Sequence, residues 1–187
     1  MRKYYCLGVV LLLIICAVGA VCWLELRHRA ELDKIENARF ILISKQDMKL
    51  RLIDYKGNEL FSASVATGIN AGNKEKVGDM RTPEGVFQIA DIQHSSDWKH
   101  DFGDGKGEVS GAYGDFFIRL AVPGHKGIGI HGTHLSETVG TRASEGCIRM
   151  NNDDLKQLVS LIYPPVTVVI TPGPEDERMN AMPTVAP

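Results

Sequence analysis

The sequence predicts a mostly-β domain that carries one amphipathic helix and follows an apolar N-terminal segment. Short runs of β-branched and aromatic residues recur between turn signals along most of the chain. Only one segment beyond the N-terminus repeats its apolar residues with helical spacing. The predicted domain, without the N-terminal segment, the stalk and the tail, has about 135 residues, which is enough to bury a hydrophobic core.

The first element is an uncharged segment from Tyr4 to Leu24. A helix needs roughly 20 apolar residues to cross a bilayer, and this segment has that length. We therefore expect residues 1–25 to form a single transmembrane helix, with a cleaved signal peptide as the alternative. Two basic residues on each side of the segment leave its orientation open. The charged residues 26–37 are expected to form a stalk.

Strand signals dominate the domain that follows, which we place at residues 38–172. A turn around Lys45 and another around Gly57 connect the first three strands. Residues 94–115 contain five glycines and are expected to form a surface excursion. The predicted strands cover residues 40–43, 49–53, 60–67, 86–92, 116–122, 127–130 and 166–171.

The amphipathic helix is predicted from Asn152 to Ile162. Its apolar residues recur at i, i+3, i+4 and i+7, which places them on one face. Pro164 ends the helix because a proline interrupts helical hydrogen bonding. Residues 173–187 are rich in proline and are expected to be a flexible tail.

Charge and cysteine content narrow the classes of function. A formal net charge of −2 provides no basic excess for phosphates, so nucleic acid is not expected as a partner. Three of the four cysteines lie in the apolar N-terminal segment, and Cys147 is the only one beyond it. An unpaired cysteine in an exported domain is either a buried small side chain or a working thiol.

The sequence around Cys147 favours the working thiol. His131 lies at the end of a predicted strand, 16 residues before Cys147, and a histidine can hold a cysteine as the thiolate. Gly146 lets the backbone present amide groups to an oxyanion. Arg149 is expected on the same side of the extended backbone as Cys147, where its charge suits a substrate carboxylate.

These residues resemble the YkuD-type L,D-transpeptidases. The family pattern is a His-Gly pair followed by Ser/Thr-X-Gly-Cys and an arginine, and this chain has His131-Gly132 and then Ser144 to Arg149. A second, weaker signature is matched at residues 76–79 and 82–87. The resemblance implies a β-sandwich catalytic domain in which Cys147 is the nucleophile. It also implies that His131 donates and accepts protons and that the Gly132 carbonyl orients its ring.

The same resemblance implies a function in the bacterial cell wall. It predicts a peptidoglycan L,D-transpeptidase that releases D-Ala from a tetrapeptide stem and joins two diamino-acid residues. Such an enzyme acts on peptide stems in the cell envelope, affects cell shape, and is acylated by carbapenems. It uses no cofactor and no metal. Water as the acceptor would make the protein an L,D-carboxypeptidase, and a catalytically silent wall-binding module is the alternative from another class.

The remaining site residues are assigned from the same segment. The backbone amides of Gly146 and Cys147 are the expected oxyanion donors, and Arg149 and Ser144 are expected to bind substrate. Many family members have histidine at the position of Glu145, and this difference bears on substrate preference.

Other readings of the histidines and glycines have less support. A zinc site from His131, His134 and Cys147 lacks a fourth ligand. His134 is expected at the rim of the site, and the histidines in presumed loops are expected to be solvated: His94, His100 and His125. Residues 127–132 fit G-x-G-x-x-G, but no βαβ unit follows. Residues 101–108 lack the alternating ligands of a calcium loop.

Overall fold

The computed structural model describes residues 2–103 and 105–181, with side chains from Ile15 onward. The chain divides into two compact units between Ala38 and Arg39. The first unit is the helix α1 (Arg2–Glu36). Within the described part of the chain, no helix is both long and apolar enough to span a bilayer. Residues 4–14 of the predicted transmembrane segment lie outside the described side chains.

The second unit contains eleven described strands and two helices, together with a short 3-10 turn at Ser136–Thr138. The strands are β1 (Arg39–Ser44), β2 (Lys49–Asp54), β3 (Glu59–Gly68), β4 (Gly85–His94), β5 (Lys99–Asp101), β6 (Glu108–Ser110), β7 (Phe116–Leu120), β8 (Gly129–His131), β9 (Arg142–Ser144), β10 (Ile148–Met150) and β11 (Thr167–Thr171). The helices are α2 (Asn152–Leu161) and α3 (Pro174–Ala181).

Nine of these strands form one sheet that closes on itself. The strand order is β10-β8-β7-β4-β11-β1-β2-β3-β9, and β10 also pairs with β3. The strand β3 makes this closure possible because its ten residues are long enough to pair with β2 first and with β10 afterwards. The resemblance implied a β-sandwich, and in the structure the two halves of the sheet are joined through β4 and β3, each of which pairs in both halves.

The mostly-β prediction is confirmed, and each of the seven predicted strands has a counterpart in the structure. The sequence did not predict β5, β6, β9 or β10. Each of these strands has three residues, which is too short to show the alternation of apolar and polar residues that identifies a strand. Two of the four, β9 and β10, flank Cys147 on either side along the chain.

Helix α2 closes the core over the sheet. It starts at Asn152 as predicted and ends at Leu161, one residue before the predicted end. Leu155 and Leu158 of its apolar face are fully buried in the hydrophobic core. Burying a leucine side chain contributes about 1.5–3 kcal/mol, so the helix is fixed firmly against the sheet.

Helix α3 corrects the expectation of a flexible tail. Residues 174–181 are helical, while residues 182–187 lie outside the described part of the chain. Asp176 of this helix is fully buried and lies 2.9 Å from Lys45 Nζ and 2.7 Å from Arg142. Asp176 also accepts hydrogen bonds from the backbone N–H groups of Gly72 and Gly173. No sequence pattern predicts this helix, because buried charge holds it in place and it has no apolar stripe.

The environment of Asp176 lowers the pKa of its carboxyl group to about 2. Burial opposes this shift, but the hydrogen bonds from Lys45 and the surrounding donors outweigh it. A carboxyl pKa that is lowered in the folded state stabilises the fold above the unfolded pKa. This stabilisation is lost as the pH falls from about 4 to 2.

We expect Asp176→Ala to lower the free energy of unfolding by about 3–5 kcal/mol, because it removes the fully buried carboxylate that pairs with both Lys45 and Arg142 and leaves them only Glu84 and Glu175 as partners. Urea unfolding followed by tryptophan fluorescence measures the change. Glu177→Ala is the matched control, since it removes an exposed carboxylate from the same helix and should change stability by about 0.5 kcal/mol or less. Equal effects of the two variants would show that α3 is not held by the buried ion pairs.

Candidate active site

The parallel pairing of β8 and β10 brings the two halves of the sequence motif together. Ile148 lies opposite Ile130, and Arg149 lies opposite His131. The three-residue strands end at one side of the sheet, where a cavity of about 450 Å³ opens. His131, Cys147 and Arg149 all line this cavity. The structure therefore brings together residues that are 16 or more positions apart in the sequence.

His131 is fixed in one orientation within this cavity. Its side chain is only 3% exposed, and its Nδ1 lies 2.6 Å from the Gly132 carbonyl oxygen. A carbonyl only accepts, so Nδ1 carries the hydrogen and Nε2 keeps a free lone pair. The ring stacks on Phe117 at 5.5 Å and meets the edge of Tyr113 at 4.9 Å. Burial lowers the pKa of His131 to about 3, so the imidazole is neutral at physiological pH.

The backbone of Gly132 lies against Tyr113 on one side and Asn152 on the other. Its N–H donates to the Tyr113 carbonyl at 2.8 Å. A side chain at this position would collide with the Asn152 amide oxygen, so the close approach requires glycine. That oxygen accepts a hydrogen bond from the Thr133 N–H at 2.9 Å. The start of helix α2 therefore fixes the backbone carbonyl that orients His131.

Cys147 is partly exposed, and its Sγ lies 3.3 Å from the Gly127 carbonyl oxygen. The thiol must donate this hydrogen bond because the carbonyl only accepts. Burial raises the pKa of Cys147, against the opposing effects of a hydrogen bond from Gly129 and the charges of Arg149 and Lys74. The sequence led us to expect a thiolate. The structure instead favours the neutral thiol, because the sulfur faces a carbonyl oxygen that can only accept and its pKa is raised.

Ser144 and Gly146 build the turn before Cys147. Ser144 was expected to bind substrate, but it is fully buried and its hydroxyl donates to the Cys147 carbonyl. The same hydroxyl accepts the Gly146 N–H at 3.1 Å. Of the two expected oxyanion donors, the Gly146 N–H already donates to Ser144, so the Cys147 N–H is the donor left for an oxyanion. Gly146 has a φ of +126°, and a side chain there would approach the Arg81 carbonyl to 2.7 Å.

The upstream signature at residues 76–79 and 82–87 supports this turn from outside. The Thr82 hydroxyl donates to the Gly146 carbonyl at 2.9 Å and accepts the Gly68 N–H at 2.8 Å. Asp79 pairs with Lys74 at 2.7 Å, and Lys74 lines the cavity beside the turn. The upstream signature therefore helps to hold the turn before Cys147 in place.

Arg149 lies in the cavity with little exposure to solvent. Its side chain is largely buried, and Nη1 donates to the Ala143 carbonyl at 3.3 Å. The guanidinium lies 5.4 Å from the centre of the Phe102 ring. Burial lowers the pKa of Arg149, while the nearby Glu145 opposes that shift. A cation this far out of water interacts strongly with a carboxylate that enters the cavity.

Residues 94–115 form part of the cavity and not only a surface excursion. The β5–β6 hairpin carries His100, whose Nε2 lies 3.0 Å from a Glu145 carboxylate oxygen. His100 Nδ1 lies 3.0 Å from the Tyr113 hydroxyl. His100 was expected to be solvated, and the structure places it inside a hydrogen-bonded chain. The aromatic residues among the glycines were the signal available in the sequence: Trp98, Phe102 and Tyr113.

The other histidines differ in their surroundings. His134 is exposed at the rim, as expected, and its ring lies 5.4 Å from Phe102. His94 is exposed and contacts Phe116 at 4.9 Å. His125 was expected to be solvated but is half-buried and lines the cavity. Among residues 2–103 and 105–181, no group of three or more histidine, cysteine, aspartate or glutamate side chains is arranged to hold a metal ion.

Comparison with known proteins assigns the family. The L,D-transpeptidase catalytic domain, known as YkuD, matches residues 38–170. The chain belongs to the L,D-transpeptidase family. A candidate L,D-transpeptidase of Bacillus subtilis strain 168, YqjB, is 33% identical over 135 residues, which cover 71% of this chain and 70% of YqjB. The family resemblance inferred from the motif is therefore confirmed.

Solved structures show the same fold. The catalytic domain of the Enterococcus faecium L,D-transpeptidase superposes with a TM-score of 0.53 at 16% identity, covering 72% of this chain and 98% of that domain. The helical cell shape determining protein Pgp2 of Campylobacter jejuni superposes with a TM-score of 0.55 at 24% identity, over 73% of this chain. The matched part is about half of Pgp2, at 48%. This L,D-transpeptidase domain is thus one part of some longer relatives.

We expect iodoacetamide to alkylate Cys147 slowly at neutral pH, with a rate that rises about tenfold per pH unit into the alkaline range. The reason is that a raised thiol pKa leaves little thiolate at pH 7, and His131 remains neutral throughout. Peptide mass mapping follows Cys147, and a small free thiol of known pKa calibrates the reagent in the same samples. A Cys147 rate that stays high and constant from pH 5 to pH 8 would instead indicate a thiolate–imidazolium pair.

Proposed function

We propose that this protein is a peptidoglycan L,D-transpeptidase in which Cys147 is the acylated nucleophile and His131 is its base. The observation that carries the proposal is the fixed tautomer of His131. Its Nδ1 hydrogen is bound to the Gly132 carbonyl, which leaves Nε2 free to take a proton in the cavity that also holds Cys147. A neutral base beside a neutral thiol is the starting state that general-base catalysis requires.

In the first half-reaction, the Cys147 sulfur attacks the carbonyl at the L-configured centre of the diamino acid in a tetrapeptide stem. The thiol proton moves to His131 Nε2 as the carbon–sulfur bond forms. The developing oxyanion accepts the Cys147 N–H, the expected donor whose amide is not engaged by Ser144. His131 then protonates the amine of D-Ala, which leaves, and a thioester remains on Cys147.

In the second half-reaction, the amine of a second stem attacks the thioester carbonyl. The carbon–nitrogen bond forms, the carbon–sulfur bond breaks, and a proton returns to Cys147 through His131. The product is a cross-link between two diamino-acid residues. No step in this scheme calls for a metal or a cofactor. Water in place of the amine would give a shortened stem, which is the L,D-carboxypeptidase outcome.

Arg149 is the proposed partner for a carboxylate of the stem. Its guanidinium lines the cavity and is largely removed from water, where a charge-assisted bidentate contact is strongest. Lysine keeps the charge but cannot make the planar two-point contact. Arg149→Lys should therefore lower the rate at which D-Ala is released from a purified tetrapeptide stem.

We also propose that the domain works in the bacterial envelope, exported by the N-terminal segment. Its substrate is in the cell wall, and the uncharged sequence from Tyr4 to Leu24 has the length of a membrane anchor or an export signal. An anchor in this segment would hold the catalytic domain on the wall side of the inner membrane, because the proposed substrate lies there.

Cys147→Ala should abolish the carbapenem adduct, because it removes the attacking sulfur and little volume. His131→Ala should lower the acylation rate on the order of 10²–10⁴-fold, which is the usual range for a positioned acid–base group. Intact-protein mass against time measures both effects.

His134→Ala is the matched control, since it removes an exposed imidazole from the cavity rim and should cost far less than His131→Ala. Similar losses in the two histidine variants would show that the base is misassigned. An adduct of equal yield on Cys147→Ala would place the nucleophile elsewhere and favour the silent-module alternative for this site.

A reporter enzyme that is active only outside the cytoplasm should be active when fused to the C-terminal end of the chain. Deletion of residues 4–24 should remove that activity, because no export segment then remains. Cell fractionation separates the two forms, since an anchored protein stays with membranes and a cleaved one does not. Reporter activity confined to the cytoplasm would remove the wall substrate from reach and contradict the proposal.

A further inference from the structure

Three side chains form a hydrogen-bonded chain that the proposed mechanism does not use. Glu145 lies beside the catalytic turn, and one of its carboxylate oxygens lies 3.0 Å from His100 Nε2. The other ring nitrogen, Nδ1, lies 3.0 Å from the Tyr113 hydroxyl. The Tyr113 ring packs against His131 at 4.9 Å. All four residues line the same cavity as Cys147.

The Glu145 carboxylate fixes the hydrogen at one end of this chain. A carboxylate only accepts, so His100 Nε2 carries a hydrogen and donates it to Glu145. With a neutral imidazole, Nδ1 then accepts the hydrogen of the Tyr113 hydroxyl. This order of hydroxyl, imidazole and carboxylate is the arrangement in which a carboxylate stabilises the imidazolium that forms when the imidazole takes a proton.

The charges in the cavity point to the role of this chain. Of the described residues that line the cavity, Glu145 is the only carboxylate. The basic side chains among them, apart from histidine, are Lys74, Arg119, Lys126 and Arg149. These cations suit the carboxylates of the stems, whereas the acceptor amine arrives as an ammonium at neutral pH. An ammonium must lose a proton before it can attack, and the only acidic side chain in the cavity belongs to the Tyr113–His100–Glu145 chain.

We propose that Tyr113, His100 and Glu145 form a second acid–base unit that deprotonates the acceptor amine. This inference rests on the proposed transpeptidase function. Tyr113 is the catalytic residue, because its oxygen takes a proton from the acceptor ammonium as its own proton passes to His100 Nδ1. Glu145 is a positioning residue that stabilises the resulting imidazolium. Its side chain is 40% exposed, so it also draws the ammonium towards the chain.

The remaining transfers balance the step. The neutral amine attacks the thioester carbonyl, the carbon–nitrogen bond forms and the carbon–sulfur bond breaks. The second proton lost by the amine passes through His131 to the Cys147 sulfur, which leaves as a thiol. His100 returns the first proton to water after the cross-linked product departs. Hydrolysis needs no such step, because water attacks with His131 as its only base.

The groups that face His100 come from several elements. Glu145 and Cys147 lie in the turn between β9 and β10. Arg149 belongs to β10 and His131 to β8, and Tyr113 follows β6. Phe102 separates His100 from His134, with ring distances of 4.4 Å and 5.4 Å. Of these groups, the two in hydrogen-bond contact with His100 are Glu145 and Tyr113, so these two set its proton exchange.

The test is the ratio of cross-linked dimer to hydrolysed stem formed from purified tetrapeptide fragments. Mass spectrometry of products from the full chain measures this ratio as the pH is varied. Glu145→Gln keeps the shape and the acceptor for His100 but removes the charge. We expect it to lower the ratio of dimer to hydrolysed stem by about 10-fold at about pH 7. The loss should shrink towards about pH 9.5, because free amines then deprotonate without help.

Tyr113→Phe is the second variant, since it removes the hydroxyl and keeps the ring against His131. It should lower the ratio with the same dependence on pH. The matched control is Glu108→Gln. It removes an exposed carboxylate from the β5–β6 hairpin that carries His100, and this carboxylate lies 3.9 Å from Lys99 Nζ. This control should keep the wild-type ratio at every pH.

Four results would overturn the inference. They are an unchanged ratio in Glu145→Gln, a loss of equal size at all pH values, an equal loss in Glu108→Gln, and a wild-type enzyme that only hydrolyses its acylated stem. The last result would leave cysteine acyl transfer standing. A wild-type enzyme that forms no acyl-enzyme at all would instead overturn the proposed function itself.

Discussion

The candidate active site depends on one backbone interaction, the parallel pairing of the short strands β8 and β10. This pairing sets Arg149 opposite His131. It thereby brings the end of β8 beside the turn that contains Cys147 and precedes β10. Three residues a side provide few hydrogen bonds, so the pairing needs support from its neighbours. That support comes from β3 and β7, which pair with β10 and β8 on their outer sides. The closed sheet is therefore the means by which a three-residue strand is held in register.

Burial then affects the protonation of the two proposed reacting groups, His131 and Cys147. It lowers the pKa of His131 to about 3 and raises that of Cys147, so both groups rest in their neutral forms. One pKa unit corresponds to about 1.4 kcal/mol, which makes an early ion pair costly. Charge is formed only when substrate enters and supplies new hydrogen bonds. A neutral thiol is also less exposed to adventitious alkylation and oxidation than a thiolate.

Much of this arrangement could be predicted from the sequence, because long strands and spaced motifs leave local signals. The strands of four or more residues, helix α2 and the His131–Cys147 pairing all had such signals. The contact of His100 with Glu145 joins residues 45 positions apart through a hairpin whose strands have three residues each, and no periodicity marks it. Ser144 lies inside the family motif, but only its burial distinguishes a residue that shapes the turn from one that touches substrate. Helix α3 is docked by Asp176, and a single buried carboxylate leaves no pattern in a sequence.

The most direct measurement of the central claim is the intact mass of the enzyme shortly after mixing with a purified tetrapeptide stem. The account predicts a mass increase equal to the stem less its terminal D-Ala, located by peptide mapping on Cys147 and absent from Cys147→Ala. It also predicts free D-Ala in the same sample in at least equal amount. An adduct that maps to another residue, or D-Ala release that persists in Cys147→Ala, would contradict the account.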